Sequence, residues 1–262
     1  MKSVLRHALV TGAGSGIGLA CATRFAQAGW AVTFNVYDEA NVSAALARVA
    51  ILAPEAQARC LVLRADISDD AQCRQLVNKA VETFGRLDAL VNAAGITRFC
   101  DEADLEGLSA ADFHAIYAVN TVGTFQMARA CAKALKASAE GKTTSSIVNL
   151  SSYAGLHGGG SSLAYGASKA AVNAVTMSLA RALAPQVRVN AVCPALVAEG
   201  FVQRLQPESY ASRAAHQIER TPLQRVGEPA EIAETIFWIS TGAPLMTGEI
   251  IQLDAGLHLQ AR

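Results

Sequence analysis

No stretch of this 262-residue chain stays apolar long enough to cross a bilayer, because charges or glycines interrupt every hydrophobic run. The opening segment, MKSVLRHALVTG, lacks the long apolar core and cleavage site of a signal peptide. An excess of one charge is missing as well. The 22 basic and 22 acidic residues balance without forming blocks, so no bulk field attracts nucleic acid or an anionic membrane. There is no low-complexity tract and no repeat of fixed period. The cysteines at 21, 60, 73, 100, 131 and 193 form no C-x-x-C pair, and the five histidines form no H-x-x-x-H or Cys/His cluster. These absences argue against a disulfide framework and a metal centre. They leave the expectation of a soluble cytoplasmic protein with reduced, mostly buried thiols, no nucleic-acid partner and no membrane contact.

What is present is ample apolar material, 52% of the residues, in short segments that alternate with helical patterns. HALVTG, WAVTFNV, CLVLRAD, LDALVN, SSIVNLSS, VRVNAV and EIIQLD read as seven strands. Between them, Ile17, Ala20, Cys21, Ala22 and Phe25 fit a helix packed on a sheet, and EANVSAALARVAIL has helical character. The clearest helix carries Cys73, Leu76, Val77, Ala80, Val81 and Phe84 at i, i+3, i+4 spacing. Further helices are expected from Ser109 to about Lys136, Leu163 to Ala184 and Glu228 to Ser240. This alternation predicts an α/β fold: a doubly wound parallel seven-stranded sheet with helices on both faces, in one domain spanning 1–262. The one long irregular stretch, about 194–227, contains Pro194, Pro207 and Pro222 and is expected to form a substrate lid with a short helix.

Directly after the first strand stands TGAGSGIG, Thr11 to Gly18. Glycines at 12, 16 and 18 let the backbone turn tightly into a helix whose free N–H groups and positive dipole suit a pyrophosphate. The spacing is G-x-x-x-G-x-G rather than the tighter G-x-G-x-x-G of many dinucleotide folds. At the end of the second strand an acid would bind the ribose hydroxyls of NAD and repel the 2′-phosphate of NADP. The expected acid position holds Val36, and Asp38 follows two residues later. Position 15 is serine, and no Lys or Arg lies between Arg24 and Arg48, which favours NAD.

From about Arg6 to Leu257 the chain resembles the short-chain dehydrogenase/reductase family. The resemblance rests on TGxxxGIG at Thr11–Gly18, Asp66 after the third strand, NAAG at Asn92–Gly95, Asn120, Ser152 and Tyr165-x-x-x-Lys169. It implies a Rossmann-type sheet and hydride transfer between nicotinamide and a small-molecule alcohol or ketone. It also implies a catalytic set of Asn120, Ser152, Tyr165 and Lys169. Tyrosine, with an ordinary pKa near ~10, is a poor base; a lysine cation one turn away and an oxidised nicotinamide would stabilise its phenolate. Ser152 would bind the substrate oxygen, and Asn120 would hold a water near the lysine. Cofactor contacts are implied from Gly12, Ser15, Gly16, Ile17, Gly18, Asp38, Asp66, Ile67, Asn92, Gly95, Tyr165, Lys169 and the backbone of Val197.

Competing readings are weaker. Family spacing selects Ser152 over Ser151, and Tyr153 has no lysine at helical spacing. LSSYAG lacks the G-x-S-x-G elbow of a serine hydrolase. A non-catalytic dinucleotide-binding regulator would not need the tyrosine. GITR at Gly95–Arg98 is also similar to 3-oxoacyl-carrier-protein reductases, which usually carry a glycine-loop arginine for NADP where this chain has Ser15. The family's Pro-Gly after the sixth strand is Pro194-Ala195, and its nicotinamide-contacting threonine is Glu199. The resemblance places Ile96, Tyr153, Leu156, His157, Leu196, Phe201 and Val202 around the pocket. Arg98 is either an anchor for an anionic substrate group or a surface arginine. Apolar Val172, Val175, Met177, Leu179 and Leu183 face more than one side of their helix, consistent with the family's homotetramers, or a dimer.

Overall fold

The computed structural model describes residues 5–140 and 144–259. Seven strands form one parallel sheet in the order β3-β2-β1-β4-β5-β6-β7. They are β1 (His7–Thr11), β2 (Ala31–Val36), β3 (Cys60–Arg64), β4 (Ala89–Asn92), β5 (Ser145–Leu150), β6 (Val187–Pro194) and β7 (Ile250–Leu253). The strands β1, β2, β4 and β6 are buried at every position. Coverage on both faces explains why they read as near-continuous apolar runs instead of alternating ones.

Successive side chains of a strand point to opposite faces, and two cores result. Ala8 and Val10 face α1 (Gly16–Gln27), α2 (Glu39–Ala50) and α11 (Pro229–Thr241), where Phe25, Ala45 and Ile236 pack. Leu9 faces α4 (Asp70–Phe84), α6 (Thr124–Ser138) and α8 (Leu163–Leu183), where Leu76, Met127, Cys131 and Leu179 pack. Strand order reverses between β1 and β4, and the open crevice of a doubly wound sheet lies at such a point, beyond the strands' carboxyl ends.

Two expectations about the helices need correction. The helix read from Ser109 to Lys136 is α5 (Ala110–Tyr117), a π-turn (Ala118–Gly123) and α6. The turn places Gly123 where a Cβ would stand 2.8 Å from Ile67, and the Thr121 and Thr124 hydroxyls donate to the Ser168 and Asn120 carbonyls. The 194–227 segment is mostly helical, with α9 (Phe201–Leu205) and α10 (Pro207–Arg220). Pro207 begins α10 at a position where its missing N–H costs nothing, and only Ala214 and Gln217 of this helix are buried. The remaining helices are the short α3 (Pro54–Gln57) and α7 (Ala154–His157). All six thiols are free, and four are buried: Cys21, Cys73, Cys131 and Cys193. Val172, Leu179 and Leu183 belong to the core, while Met177 is exposed. Among the described residues no helix is long and apolar enough to cross a membrane.

Buried His7 stitches the bottom of the sheet. Its Nδ1 lies 2.6 Å from the Arg86 carbonyl and its Nε2 2.9 Å from the Thr33 hydroxyl, so a neutral ring is fully bonded. Burial pushes its pKa down to about 4, against smaller raising effects of the Arg86 carbonyl and Asp88. The unfolded chain therefore takes up this proton first, and stability falls as pH drops from the ordinary histidine range towards 4. Relative to His7→Gln, the wild type is expected to lose an extra ~3 kcal/mol over that window, measured by urea unfolding at stepped pH. Parallel pH profiles for the two proteins would refute it.

Candidate active site

At the crevice, Thr11 closes β1 with its hydroxyl accepting hydrogen bonds from Ala93 N and Ala94 N, both at 3.1 Å. Gly12 follows with φ +66°, and a Cβ there would stand 2.7 Å from Ala94 Cα. A Cβ on Gly18 would stand 2.2 Å from the Gly12 carbonyl oxygen. Only glycine allows the chain to cross here and start α1. The Ser15 side chain makes no capping bond to that helix, which leaves first-turn N–H groups open. The cradle therefore fits the phosphates of a dinucleotide.

A cavity of about 1090 Å³ runs from this turn to Tyr165 and beneath the 194–227 segment. Gly12, Ser15, Gly16, Ile17, Gly18, Asp38, Asp66, Ile67, Gly95, Tyr165 and Val197 all line it. Asn92 stands behind the wall, its amide donating to Asn149 at 2.9 Å and to the Thr124 carbonyl at 3.4 Å, so it joins the ends of β4 and β5. Asp38 caps α2: one carboxylate oxygen accepts from Asn41 N and Nδ2, both at 2.8 Å. Its other oxygen has no hydrogen bond among the described residues. Asp66 accepts from Ser68 N and Oγ at 2.8 and 2.7 Å, which fixes the loop after β3.

Ser162 caps α8 through Tyr165 N and so sets Tyr165 in its first turn, with Lys169 one turn later. Lys169 Nζ donates to the Leu150 carbonyl at 2.7 Å and lies 5.7 Å from the Tyr165 ring centroid. Burial pushes the Tyr165 phenol up to about 12, with a hydrogen bond from Ser152 opposing it. Burial likewise pushes the Lys169 ammonium down to about 8. Desolvation is thus the largest influence on both groups. Both serines line the cavity; Ser151 is buried with its hydroxyl donating to the Lys169 carbonyl at 3.0 Å, whereas Ser152 is partly open.

Asn120 lies in the π-turn, fully buried. Its Oδ1 accepts from Ile96 N at 2.8 Å, and its Nδ2 donates to the Ile96 carbonyl and the Ser168 hydroxyl, both at 3.0 Å. A Cβ on Gly95 would stand 3.2 Å from Asn120 Oδ1 and 3.6 Å from Lys169 Nζ. Asn120, Gly95 and Lys169 therefore meet at one point, with the asparagine amide already engaged by protein groups.

Ile96, Tyr153, Leu196, Phe201 and Val202 line the cavity as expected. Leu156 and His157 do not. Leu156 is exposed, and His157 stacks on Tyr153 at 4.2 Å while its Nε2 bonds Gln252, which turns it towards β7. Arg98 pairs with Asp112 at the start of α5, outside the cavity, so it is a surface arginine. Glu199 lines the cavity at φ +56°, with its N–H bonded to Gln203. Among the cavity residues that escape sequence reasoning are Phe99, Arg213 and Arg204. Arg213 lies 5.9 Å over the Phe99 ring, and Arg204 Nη1 donates to the Ser15 hydroxyl at 2.5 Å across 189 residues of chain. No local motif signals such pairs.

A family model described as "Enoyl-(Acyl carrier protein) reductase" matches residues 12–258. A Streptomyces violaceoruber protein named as a ketoacyl reductase of the granaticin polyketide synthase is 40% identical over 256 residues, 96% of each chain. The 3-oxoacyl-[acyl-carrier-protein] reductase of Thermotoga maritima is 34% identical, covering 95% of this chain and 96% of that one. A crystal structure from Burkholderia xenovorans, named as a short-chain dehydrogenase/reductase, superposes with TM-score 0.91 at 41% identity, covering 99% of this chain and 100% of the other. Seven parallel strands, the glycine cradle and this similarity along nearly the whole length agree: the chain is an oxidoreductase of the short-chain dehydrogenase/reductase family.

Proposed function

We propose that this protein transfers a hydride between a nicotinamide dinucleotide, NAD in preference to NADP, and a secondary alcohol or its ketone, with Tyr165 as the acid–base group. The observation that carries the reading is that one cavity joins the glycine cradle at one end to Ser152 and Tyr165 at the other, with Lys169 immediately behind. When bound, the nicotinamide supplies or accepts the hydride. Ser152 binds the substrate oxygen and Tyr165 gives it a proton in the reducing direction, for which a neutral buried phenol is the right starting state. In the oxidising direction Tyr165 takes the proton instead, and nearby positive charge, including that of Lys169, favours the phenolate. Asn120 acts by position: its bonds to both polar groups of Ile96 hold the 95–96 backbone beside Lys169.

Preference for NAD is supported by Asp38, a carboxylate on the cavity rim with one oxygen unbonded, where a 2′-phosphate would be repelled. A second reading, an NADP-dependent 3-oxoacyl-carrier-protein reductase, is favoured by Arg64. The end of β3 brings its Nε within 3.0 Å of the Tyr37 carbonyl, beside the same rim. Ketoacyl reductases among the relatives point the same way. We read the 194–227 segment as the substrate lid. Its base is fixed by a bridge between Val197 and Gly227 and by Gln217, whose amide bonds both polar groups of Leu196. We further infer that a second copy of the chain covers exposed Val122, Phe125 and Met177.

Tyr165→Phe is expected to lower kcat by at least about 100-fold while leaving NADH binding and Tm unchanged. Asn120→Ala strips the partners from buried Ile96 and Ser168 groups and should instead cost ~2–4 kcal/mol of stability. Equal turnover in Tyr165→Phe and wild type would remove the tyrosine from the mechanism. Ultraviolet titration of the cofactor-free protein, wild type minus Tyr165→Phe, should show no phenolate from this residue at neutral pH, because its pKa is raised to about 12. A phenolate already present at neutral pH would overturn that assignment. In a panel of alcohols, ketones and 3-oxoacyl thioesters followed by nicotinamide absorbance, NAD(H) should give the higher kcat/KM. A clear advantage for NADP(H) would select the second reading.

A further inference from the structure

Arg204 is an exposed cation that bridges two distant parts of the chain. It projects from α9 in the 194–227 segment to the mouth of the glycine turn, where Nη1 donates to the Ser15 hydroxyl at 2.5 Å. Ser15 is the N-cap of α1, so the guanidinium faces the positive end of a helix dipole. Among the described residues it has the Phe201 ring 5.5 Å away and no carboxylate partner. Partial burial lowers its pKa, and no carboxylate among the described residues raises it. Two positive groups that converge on a cavity are mutually repulsive until an anion lies between them. The backbone supports the approach: a Cβ on Gly16 would stand 3.3 Å from the Glu199 carbonyl, so the segment carrying Arg204 already touches the turn.

We propose that Arg204 is a cofactor-binding residue that clamps a phosphate of the dinucleotide against the first turn of α1, and that this clamp seats the lid. The inference rests on the dinucleotide reading of the glycine turn. It adds a residue 189 positions away and a coupling that the reading does not contain. Phe201, one turn before Arg204, meets the Tyr165 ring edge-on at 6.2 Å. A phosphate held by Arg204 therefore also steadies α9 with Phe201 against Tyr165, so that filling the cofactor end fixes the wall of the substrate end. The expected source is the pyrophosphate, which NAD and NADP share; the 2′-phosphate of NADP offers the same chemistry.

Calorimetric titration of wild type, Arg204→Lys and Arg204→Gln with ADP-ribose, NADH and NADPH tests the clamp. Loss of a charge-assisted contact predicts roughly ten- to a hundred-fold weaker binding of all three ligands to Arg204→Gln, with Arg204→Lys intermediate. Loss confined to NADPH would assign the same cation to the 2′-phosphate. ADP-ribose should slow chymotryptic cleavage at Phe201–Leu205 in wild type and not in Arg204→Gln, while adenosine, which lacks phosphate, should slow it in neither. ADP-ribose affinity within about two-fold of wild type and retained protection in Arg204→Gln would overturn the proposal. If Arg204→Gln lowers Tm, Arg204→Lys decides alone: unweakened binding refutes the clamp and weakened binding with normal Tm supports it. Failure of wild type itself to bind any of the three ligands would refute the dinucleotide reading.

Discussion

The close passage of backbone over backbone at the carboxyl ends of β1 and β4 is the constraint on which the site depends. Gly12 lies against Ala94, Gly18 against Gly12, and the Thr11 hydroxyl holds the N–H groups of Ala93 and Ala94. If either glycine carried a side chain, the turn would have to open and α1 would no longer start over the cavity. The next loop would move as well, because Gly95 and Ile96 follow directly and are tied to Asn120. Through that tie the glycine turn is linked to the helix turn that carries Asn120.

Desolvation then sets the chemistry inside the frame. Lys169 is buried with one carbonyl for a partner, and Tyr165 is half-buried at the cavity wall; desolvation pushes each towards its neutral form. Keeping either charge away from water is costly, which is the cause of both shifts. A neutral phenol at rest suits proton donation to a ketone oxygen. It also means that any added positive charge at this end has a large effect, because the medium screens it poorly.

The α/β alternation, the parallel sheet and the strand positions were readable because buried strands and amphipathic helices differ in composition and period. The helices of the 194–227 segment were not. Prolines at 194, 207 and 222 punctuate it, and α10 buries only two of its residues, so the stretch reads as a loop. The π-turn at Asn120 leaves the helical spacing of its flanks nearly intact and is invisible to periodicity. Ser152, Tyr165 and the glycines line the cavity as their short, fixed spacing leads one to expect. Asn92 and His157 lie off its lining because neighbouring strands, not local spacing, turn their side chains: Asn149 claims the first and Gln252 the second.

The sequence by itself determined the fold class, the place of the phosphate turn and the i, i+4 pairing of Tyr165 with Lys169, since each depends on local backbone geometry. Only the tertiary structure decided which polar groups are spent on holding the frame and which face the cavity. Asn120 is used up by Ile96 and Ser168, Arg98 by Asp112, and Ser151 by the Lys169 carbonyl, while Ser152 stays open. It also decided which charges meet, bringing Arg204 to Ser15 without a counterion. Hydrogen bonds and Coulombic forces act through space, and chain order does not reveal which distant groups the packing of the two cores will bring together.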